Sequence, residues 1–410
     1  MTVLPTTEAR TGTIAAAWSH RSFRWIYCGS MASNIGTWMQ NFALGALADQ
    51  LTRASWFVGL VVFAQLGPSL LLSPWAGVLA DTVDRRKIMI GAAAVQATLS
   101  AALAVAVIGG APNHVLLVTI VAGIGIAGAL NAPAANATIP ALVGRADLPG
   151  AISMNSAQMN LSRVLGPLIA GLIVGLDHPA VIFGINSATY LFVIAAVALV
   201  RFDSLPTAVS NETALQRFTQ GLRAARADQV IRRVLVTVSI YSFCSLIFIY
   251  QMAPFARRNL GGRQNAFTLV FSSFGLGAAL AAIAVGTVLI GISRPRLVRV
   301  GLMAFAASLA ALALQHQVLP AMVAAFATGA AYFTVITALS TILQQRVADE
   351  VRGRVMGLWM MGWAGLVPLG SLVGGPVIDM VGLTPVFLFG AAVAVVLAAY
   401  ARLTPPGVAH

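Results

Sequence analysis

Charge is what this 410-residue sequence has least of: Asp, Glu, Lys and Arg make up only 9% of it. There are 12 acidic residues, and of the 25 basic ones only Lys87 is lysine. A soluble chain carries about a quarter charged residues. With so few, a soluble fold would leave large apolar patches against water. Cysteine is scarce too. Cys28 and Cys244 both lie in apolar stretches, which excludes a disulfide framework and a thiolate zinc site. The five histidines (His20, His114, His178, His316 and His410) are scattered through loops and termini, and no His-Glu-x-x-His run occurs. An intramembrane metalloenzyme is therefore not indicated. There is no Walker A sequence, so direct ATP hydrolysis is not expected and no cofactor is called for. What the chain has in abundance is apolar residues, 59% of the total, with a mean hydropathy of +0.87. Lipid can cover such a surface, and membrane lipid becomes the first expected partner.

A helix crossing the hydrocarbon layer needs about 20 mostly apolar residues. Twelve segments qualify, at about 24–48, 55–80, 88–109, 115–139, 151–176, 179–200, 232–255, 265–290, 297–315, 319–342, 355–380 and 385–401. The first is too long, and followed by too many others, to read as a cleaved signal peptide. Lipid admits only helices or closed barrels, and these runs are too long for barrel strands. The expected fold is all-α and integral to the membrane.

The basic residues orient it. With the N-terminus in the cytoplasm, 20 of the 25 fall on the cytoplasmic side, four (Arg53, Arg257, Arg258 and Arg263) fall opposite, and Arg163 lies within a span. This split places both termini on the cytoplasmic side of the membrane. It also explains the net charge of +13 as a topology signal, so a nucleic-acid partner is not expected.

The one long polar stretch, from Arg201 to Arg233, separates six spans from six. The expected organisation is a six-helix bundle over 1–200, a cytoplasmic linker over 201–231 and a second six-helix bundle over 232–410. Part of the linker, from Leu215 to Arg226, has the amphipathic pattern of a helix lying on the membrane surface. The halves look related. Thr138-Ile139 recurs as Thr341-Ile342 and Gly150 as Gly353, each 203 positions later. Leu165-Gly166 recurs as Leu369-Gly370 and Gly171 as Gly375 at a spacing of 204. Gly77, Arg85 and Lys87 recur as Gly286, Arg294 and Arg296 at 209. Duplicated halves are a transporter architecture, with substrate held near the midplane between them.

Several motifs sharpen this. Span two ends in Gly77-Val-Leu-Ala-Asp81-Thr-Val-Asp84-Arg85-Arg86-Lys87. Gly77 permits close helix approach, and Asp81 at a helix C-terminus needs a cationic or N-terminal partner. Span five carries Gly166-Pro167-x-x-x-Gly171, with proline able to bend the helix at a gate. Spans ten and eleven are joined through Arg352-Gly353-Arg354, and span one contains Ser33-Asn34-Ile-Gly36-Thr37-Trp38. Together these resemble the major facilitator superfamily, and within it a bacterial exporter branch of enterobactin exporters and macrolide-type efflux proteins. The resemblance covers nearly the whole chain. It implies two pseudo-symmetric six-helix bundles and alternating access. It also implies a conformational latch and gate of Gly77, Asp81, Arg85, Arg86, Gly166, Pro167, Arg352 and Arg354. Thr37 departs from it, since relatives often carry Asp there. The function implied is secondary active export of a small amphiphilic molecule, siderophore or drug, by proton antiport. An uptake permease of the same fold is the alternative. The chain is expected to work as a monomer.

Polar residues buried in lipid mark cavities or helix contacts. Asn34, Trp38 and Asn41 share one face of span one, being spaced i, i+4, i+7. With Asn131, Gln158, Arg163, Tyr241, Gln251 and Tyr332 they form the expected substrate cavity, and Trp359 and Trp363 the adaptable aromatic wall. Asn186 and Tyr190 of span six are exceptions, since the resemblance turns that span to lipid. Arg163, the only basic residue deep in a span, is read as attracting an anion such as a catecholate or as bracing the gate through carbonyls. No carboxylate falls in the middle of a span, and Asp49, near the end of span one, is the best candidate to carry a proton.

Overall fold

The computed structural model describes residues 11–110, 112–174, 178–200, 214–262, 265–289 and 291–403, and these are almost entirely helical. In chain order the helices are α1 (Ile14–Ser19), α2 (Arg21–Thr52), α3 (Ser55–Thr82), α4 (Arg85–Ile108), α5 (His114–Leu168), α6 (Pro179–Leu199), α7 (Ala214–Ala227), α8 (Gln229–Ile240), α9 (Met252–Asn259), α10 (Ala266–Gly286), α11 (Arg294–Ala313), α12 (Val318–Arg346), α13 (Asp349–Met360), α14 (Leu366–Val381) and α15 (Leu383–Tyr400). Wider π turns follow α5 (Ile169–Val174), α8 (Tyr241–Ser245) and α13 (Met361–Gly365).

Ten helices among the described residues are long and apolar enough to cross a bilayer. One of them, His114–Gly171, is 58 residues long, and Gly144 divides it. Its φ of 72° is open to glycine but costly for a side chain, so the chain reverses there. At 32 residues α2 is also long enough, although Asn34, Gln40, Asn41 and Asp49 dilute its apolar character. Splitting α5 and adding α2 gives twelve crossings. Large apolar side chains stand exposed on α4 (Val105, Ile108), α6 (Leu191, Leu199), α11 (Val300) and α15 (Val396). These are spans three, six, nine and twelve, and span six is the one the resemblance turns to lipid.

Each half has its own core. Phe42, Phe57, Leu103, Leu117 and Phe183 anchor the first, and Tyr241, Phe248, Phe255, Phe305 and Phe387 the second. The sequence repeat appears in the packing. Gly166 on α5 lies against Trp38 and Met39 of α2, and its counterpart Gly370 on α14 lies against Phe243 in the span begun by α8. Gly171 meets Thr268 of α10 in the opposite half, and its counterpart Gly375 meets Ser55 and Trp56 of α3, again across the halves. Equivalent glycines therefore serve equivalent helix pairs, as two-fold pseudo-symmetry requires.

The halves meet unevenly. We call the side carrying α1, α7 and the break at Gly144 the linker face, and the other the far face. Along α3 and α14, backbone contact runs from Ser55 and Gly375 at the far face through Gly59 and Ser371, and near mid-depth the Leu70 side chain meets Gly365 in the π turn before α14. Beyond that point Gly77, Gly353 and Gly357 have open space where a Cβ would stand. On the pseudo-equivalent seam, α5 meets α10 at Gly171 and again where Gly275 approaches Val164, while Gly286 is open. The halves close on the far face and part toward the linker face.

Candidate functional site

Near the middle of the bundle, three side chains from both halves converge. The Arg163 guanidinium carbon lies 5.4 Å from the ring centre of Trp38 and 5.5 Å from that of Trp363. Trp38 sits against the bare backbone of Gly166, so a side chain there would push α2 and α5 apart. Trp363 lies in the π turn after α13, and its Nε1 donates to the Tyr332 hydroxyl at 3.3 Å. Arg163 and Trp38 belong to the first half, Trp363 and Tyr332 to the second. The Arg163 Nε is buried without a hydrogen-bond partner. A cation over an aromatic face gains about 0.5–2 kcal/mol. Desolvating an ion costs several kcal/mol. Arg163 is only partly buried, so it bears a fraction of that cost, which the two indole faces offset in turn.

Other expected cavity residues divide into two groups. Gln158 is buried with both amide atoms unpartnered, and the Asn131 Oδ1 is likewise buried and unsatisfied. Gln158, Ser162 and Gly166 share one stripe of α5 at i, i+4, i+8, the stripe that faces α2. Asn34 is half-buried. The second group is placed elsewhere. Asn41 accepts a hydrogen bond from Gln65 Nε2 of α3, so it joins helices within the first half. Tyr241 is fully buried edge-on against Phe305, 4.9 Å between ring centres, in the core of the second half. Trp359 is buried in that same core. Gln251 is buried at the far-face seam, where its Nε2 donates to the Ser55 carbonyl at 3.3 Å. In this conformation Asn41, Tyr241, Trp359 and Gln251 do not line the central site. The two span-six exceptions are explained as glue. Asn186 donates to Gln40 at 2.9 Å, and the Tyr190 hydroxyl pairs with Thr37 at 3.2 Å.

Sequence reasoning did not anticipate the far-face seal. Asp49 of α2 is buried, and Arg257 of α9 grips it with both arms, Nε to Oδ2 at 2.7 Å and Nη2 to Oδ1 at 2.8 Å. Two-point pairing of this kind is among the stronger protein hydrogen-bond geometries. Arg258 donates to Asp379 of α14 at 2.9 Å and also to the Arg53 carbonyl at 3.2 Å. Asp379 in turn accepts the backbone N–H groups of Ser55 at 2.9 Å and Trp56 at 2.8 Å. Phe42 of α2 stacks on Phe267 of α10 at 4.3 Å just beneath. The available signal was the set of basic residues on the wrong side of the charge count, with Asp49 and Asp379 close to it.

On the linker face, the ion pairs between described residues stay inside one half. His20 meets Asp147 at 2.9 Å and Arg346 meets Asp228 at 2.8 Å. Burial pushes the Asp228 carboxyl up, but the Arg346 hydrogen bond and the N–H groups of Ile231 and Val230 outweigh it and hold it below its ordinary value. Arg85 donates to the Ala80 and Ala137 carbonyls, and Arg86 to that of Ala198 near the C-terminus of α6. Cations there complement helix dipoles within the first half. Arg352 donates to the Val347 carbonyl at 3.4 Å, and the Arg354 backbone lies against Gly221 of α7. The Asp81 side chain lies outside the described residues, as do Asn160, Asp177 and 201–213 of the linker. The close approach expected at Gly77 is not made in this conformation, because the two halves are apart on this face.

A family model described as a transmembrane secretion effector matches residues 12–406. The chain is 22% identical over 369 residues to the staphyloferrin A transporter of Staphylococcus aureus, covering 89% of this chain and 91% of that protein. It is 25% identical over 356 residues to the enterobactin exporter EntS of Escherichia coli, covering 83% and 81%. Among solved structures, the nucleoside transporter NupG superposes with a TM-score of 0.72 at 14% identity, covering 93% of this chain and 99% of that one. A bacterial homologue of the human lysosomal transporter Spinster superposes with a TM-score of 0.73 at 15% identity, covering 93% and 96%. These relatives and folds are transporters, not enzymes. The chain is a multi-pass membrane transporter that belongs to the transmembrane secretion effector family of the major facilitator superfamily.

Proposed function

We propose that this protein is a secondary active exporter of the bacterial inner membrane, moving small amphiphilic molecules, siderophore or drug, outward by alternating access. The observation that carries the reading is the far-face seal, in which Asp49–Arg257 and Asp379–Arg258 tie the two halves together, while the ion pairs between described residues on the linker face stay within one half. The 20-to-4 basic split supports putting the linker face and both termini in the cytoplasm. In that orientation the central site opens to the cytoplasm, the side on which an exporter loads. The names of the relatives, an enterobactin exporter and a staphyloferrin A transporter, support a siderophore-like cargo.

Protons are the proposed counter-ion and Asp49 the residue that takes one. Neutralising its carboxylate discharges the pair with Arg257 and loosens the outer seal, which favours release of cargo to the outside. Asp81, with Gly77, Arg85, Arg86, Arg352 and Arg354, is assigned to the latch that closes the cytoplasmic side in the other state, and Gly166 and Pro167 to the gate of span five.

The test is substrate accumulation in cells with and without the protein, each with and without a protonophore. Lower accumulation in expressing cells, abolished by the protonophore, is expected. Higher accumulation would overturn export in favour of uptake, and protonophore-insensitive efflux would overturn proton coupling. Asp81→Asn should insert normally but transport poorly, and wild-type flux in that variant would remove the latch assignment.

A further inference from the structure

Arg163 is a half-buried cation within a span, its Nε fully buried, that no described carboxylate neutralises. The described carboxylates that form ion pairs do so at the two faces, Asp49 with Arg257, Asp379 with Arg258, Asp147 with His20 and Asp228 with Arg346. In the sequence, the remaining Asp and Glu residues fall at span ends or outside the spans. What Arg163 has instead is two indole faces, Trp38 from its own half and Trp363 from the other, at 5.4 and 5.5 Å. An aromatic face attracts a cation but neither cancels its charge nor accepts an in-line N–H bond. Its Nε remains buried without an acceptor. The Gln158 amide, two atoms without partners, lies on the same helix, and Tyr332 is held beside Trp363.

We propose that Arg163 is the counter-ion of the cargo, and that the cargo is therefore an organic anion bearing carboxylate or catechol oxygens on a flat body. This rests on the transport reading above and narrows it, since the same charge disfavours the lipophilic cations that many drug pumps carry. The planar guanidinium can grip two oxygens at once, while the paired indoles offer a slot for a flat ring. Taking the anion draws the guanidinium off the Trp363 face. Because Trp363 is fixed to the second half through Tyr332, binding removes a contact between halves at the moment the site fills. Cargo recognition and release of the halves become one event.

The test uses the full chain in lipid nanodiscs, with intrinsic tryptophan fluorescence titrated by 2,3-dihydroxybenzoate or citrate as anions and tetraphenylphosphonium as the cation. Saturable quenching by an anion and none by the cation is expected. Arg163→Gln should weaken the anion by about ten-fold or more, the loss expected when a partly buried charge pair is broken. Arg163→Lys should fall between, keeping charge but losing the two-point grip. Trp363→Leu keeps the guanidinium but removes one wall of the slot, so it should weaken the anion by less than Arg163→Gln does and lose part of the quench, and Arg163→Lys serves as the second variant if Arg163→Gln misfolds. No saturable anion binding to the wild type, equal or tighter binding of the cation, or an Arg163→Gln affinity within about three-fold of wild type would each overturn the assignment. Binding is read without flux, so a wild type that binds anions but moves none leaves the counter-ion assignment standing and defeats only the export reading.

Discussion

The two faces of this bundle are built from related sequence yet behave differently. On the far face, basic residues are few and each described pair joins the halves: Arg257 with Asp49 and Arg258 with Asp379. On the linker face basic residues abound, but the described pairs stay within one half, and Arg85 and Arg86 turn to carbonyls of their own half. The glycines divide in the same way. Gly59, Gly171 and Gly375 press on the opposite half, whereas Gly77, Gly286 and Gly353 face open space. Abundance of charge therefore sets orientation, and scarcity of charge marks the gate. A few cations against the grain of the topology need local carboxylates, and those carboxylates come from the other half.

The largest effect should come from filling a closed seam. At Gly59→Leu the side chain meets the Ser371 backbone, which cannot move aside as a flexible side chain would. Overpacking of about 1–3 kcal/mol displaces the closed far face by about five- to 150-fold. Transport should be lost, and a thiol placed by Thr52→Cys, in a chain whose own cysteines are serine, should label rapidly. The matched change Gly77→Leu meets nothing in this state, so it should lose transport with the far face still protected. If both variants label alike, the asymmetry between the faces is wrong.

Asp49→Asn comes next. It leaves Arg257 facing a neutral amide at a seam where Asp49 is buried but the Arg257 side chain is 30% exposed. The cost is about 2 kcal/mol, less than for a fully buried pair. Labelling at position 52 should rise by about thirty-fold. Proton movement evoked by substrate in reconstituted vesicles should disappear while downhill flux survives, and unaltered proton movement would remove Asp49 from the coupling role. Asp379→Asn should cost less, about 1 kcal/mol, because both partners are about a quarter exposed.

The smallest effect belongs to the linker face. Asp228→Asn removes a pair lying within one half and half open to water, worth below about 1 kcal/mol. The Asp228 carboxyl is held below its ordinary value, so its contribution is present above the ordinary carboxylate range and lost as pH falls through its depressed value. Melting curves of wild type and variant should thus differ by a constant amount from neutral pH down to about 5, begin to approach each other below about 4, and meet only once pH is below the depressed Asp228 value. A difference growing between pH 6 and 8 would mean another group is responsible.

Much of the architecture was legible because lipid imposes a simple rule. Long apolar runs must be helices, and the offset of 204 between Gly166 and Gly370 or Gly171 and Gly375 reflects helix pairs that really are equivalent. The site was less legible, and span eleven shows why. Trp359 and Trp363 are four apart and would share a face in a regular helix. The π turn at Met361–Gly365 comes between them and changes the phase, sending Trp359 into the core and Trp363 to Arg163. Nothing in residue type announces such a turn. Asn41 misled for another reason, since an amide that joins two helices looks in sequence like one that meets a ligand. Arg163 stood out because a lone charge in lipid has few innocent explanations.

One detail of the seal has a separate consequence. Helix α3 begins at Ser55 after Ala54, which has no side chain to cap it, and the first two N–H groups are satisfied by Asp379 from the other half. The helix thus borrows its cap. Each time the far face opens, those two amides exchange Asp379 for water, and in heavy water they exchange hydrogen as well. Deuterium uptake at Ser55 and Trp56, set against the buried middle of α3, therefore counts openings of the outer gate directly, with no label and no knowledge of the cargo.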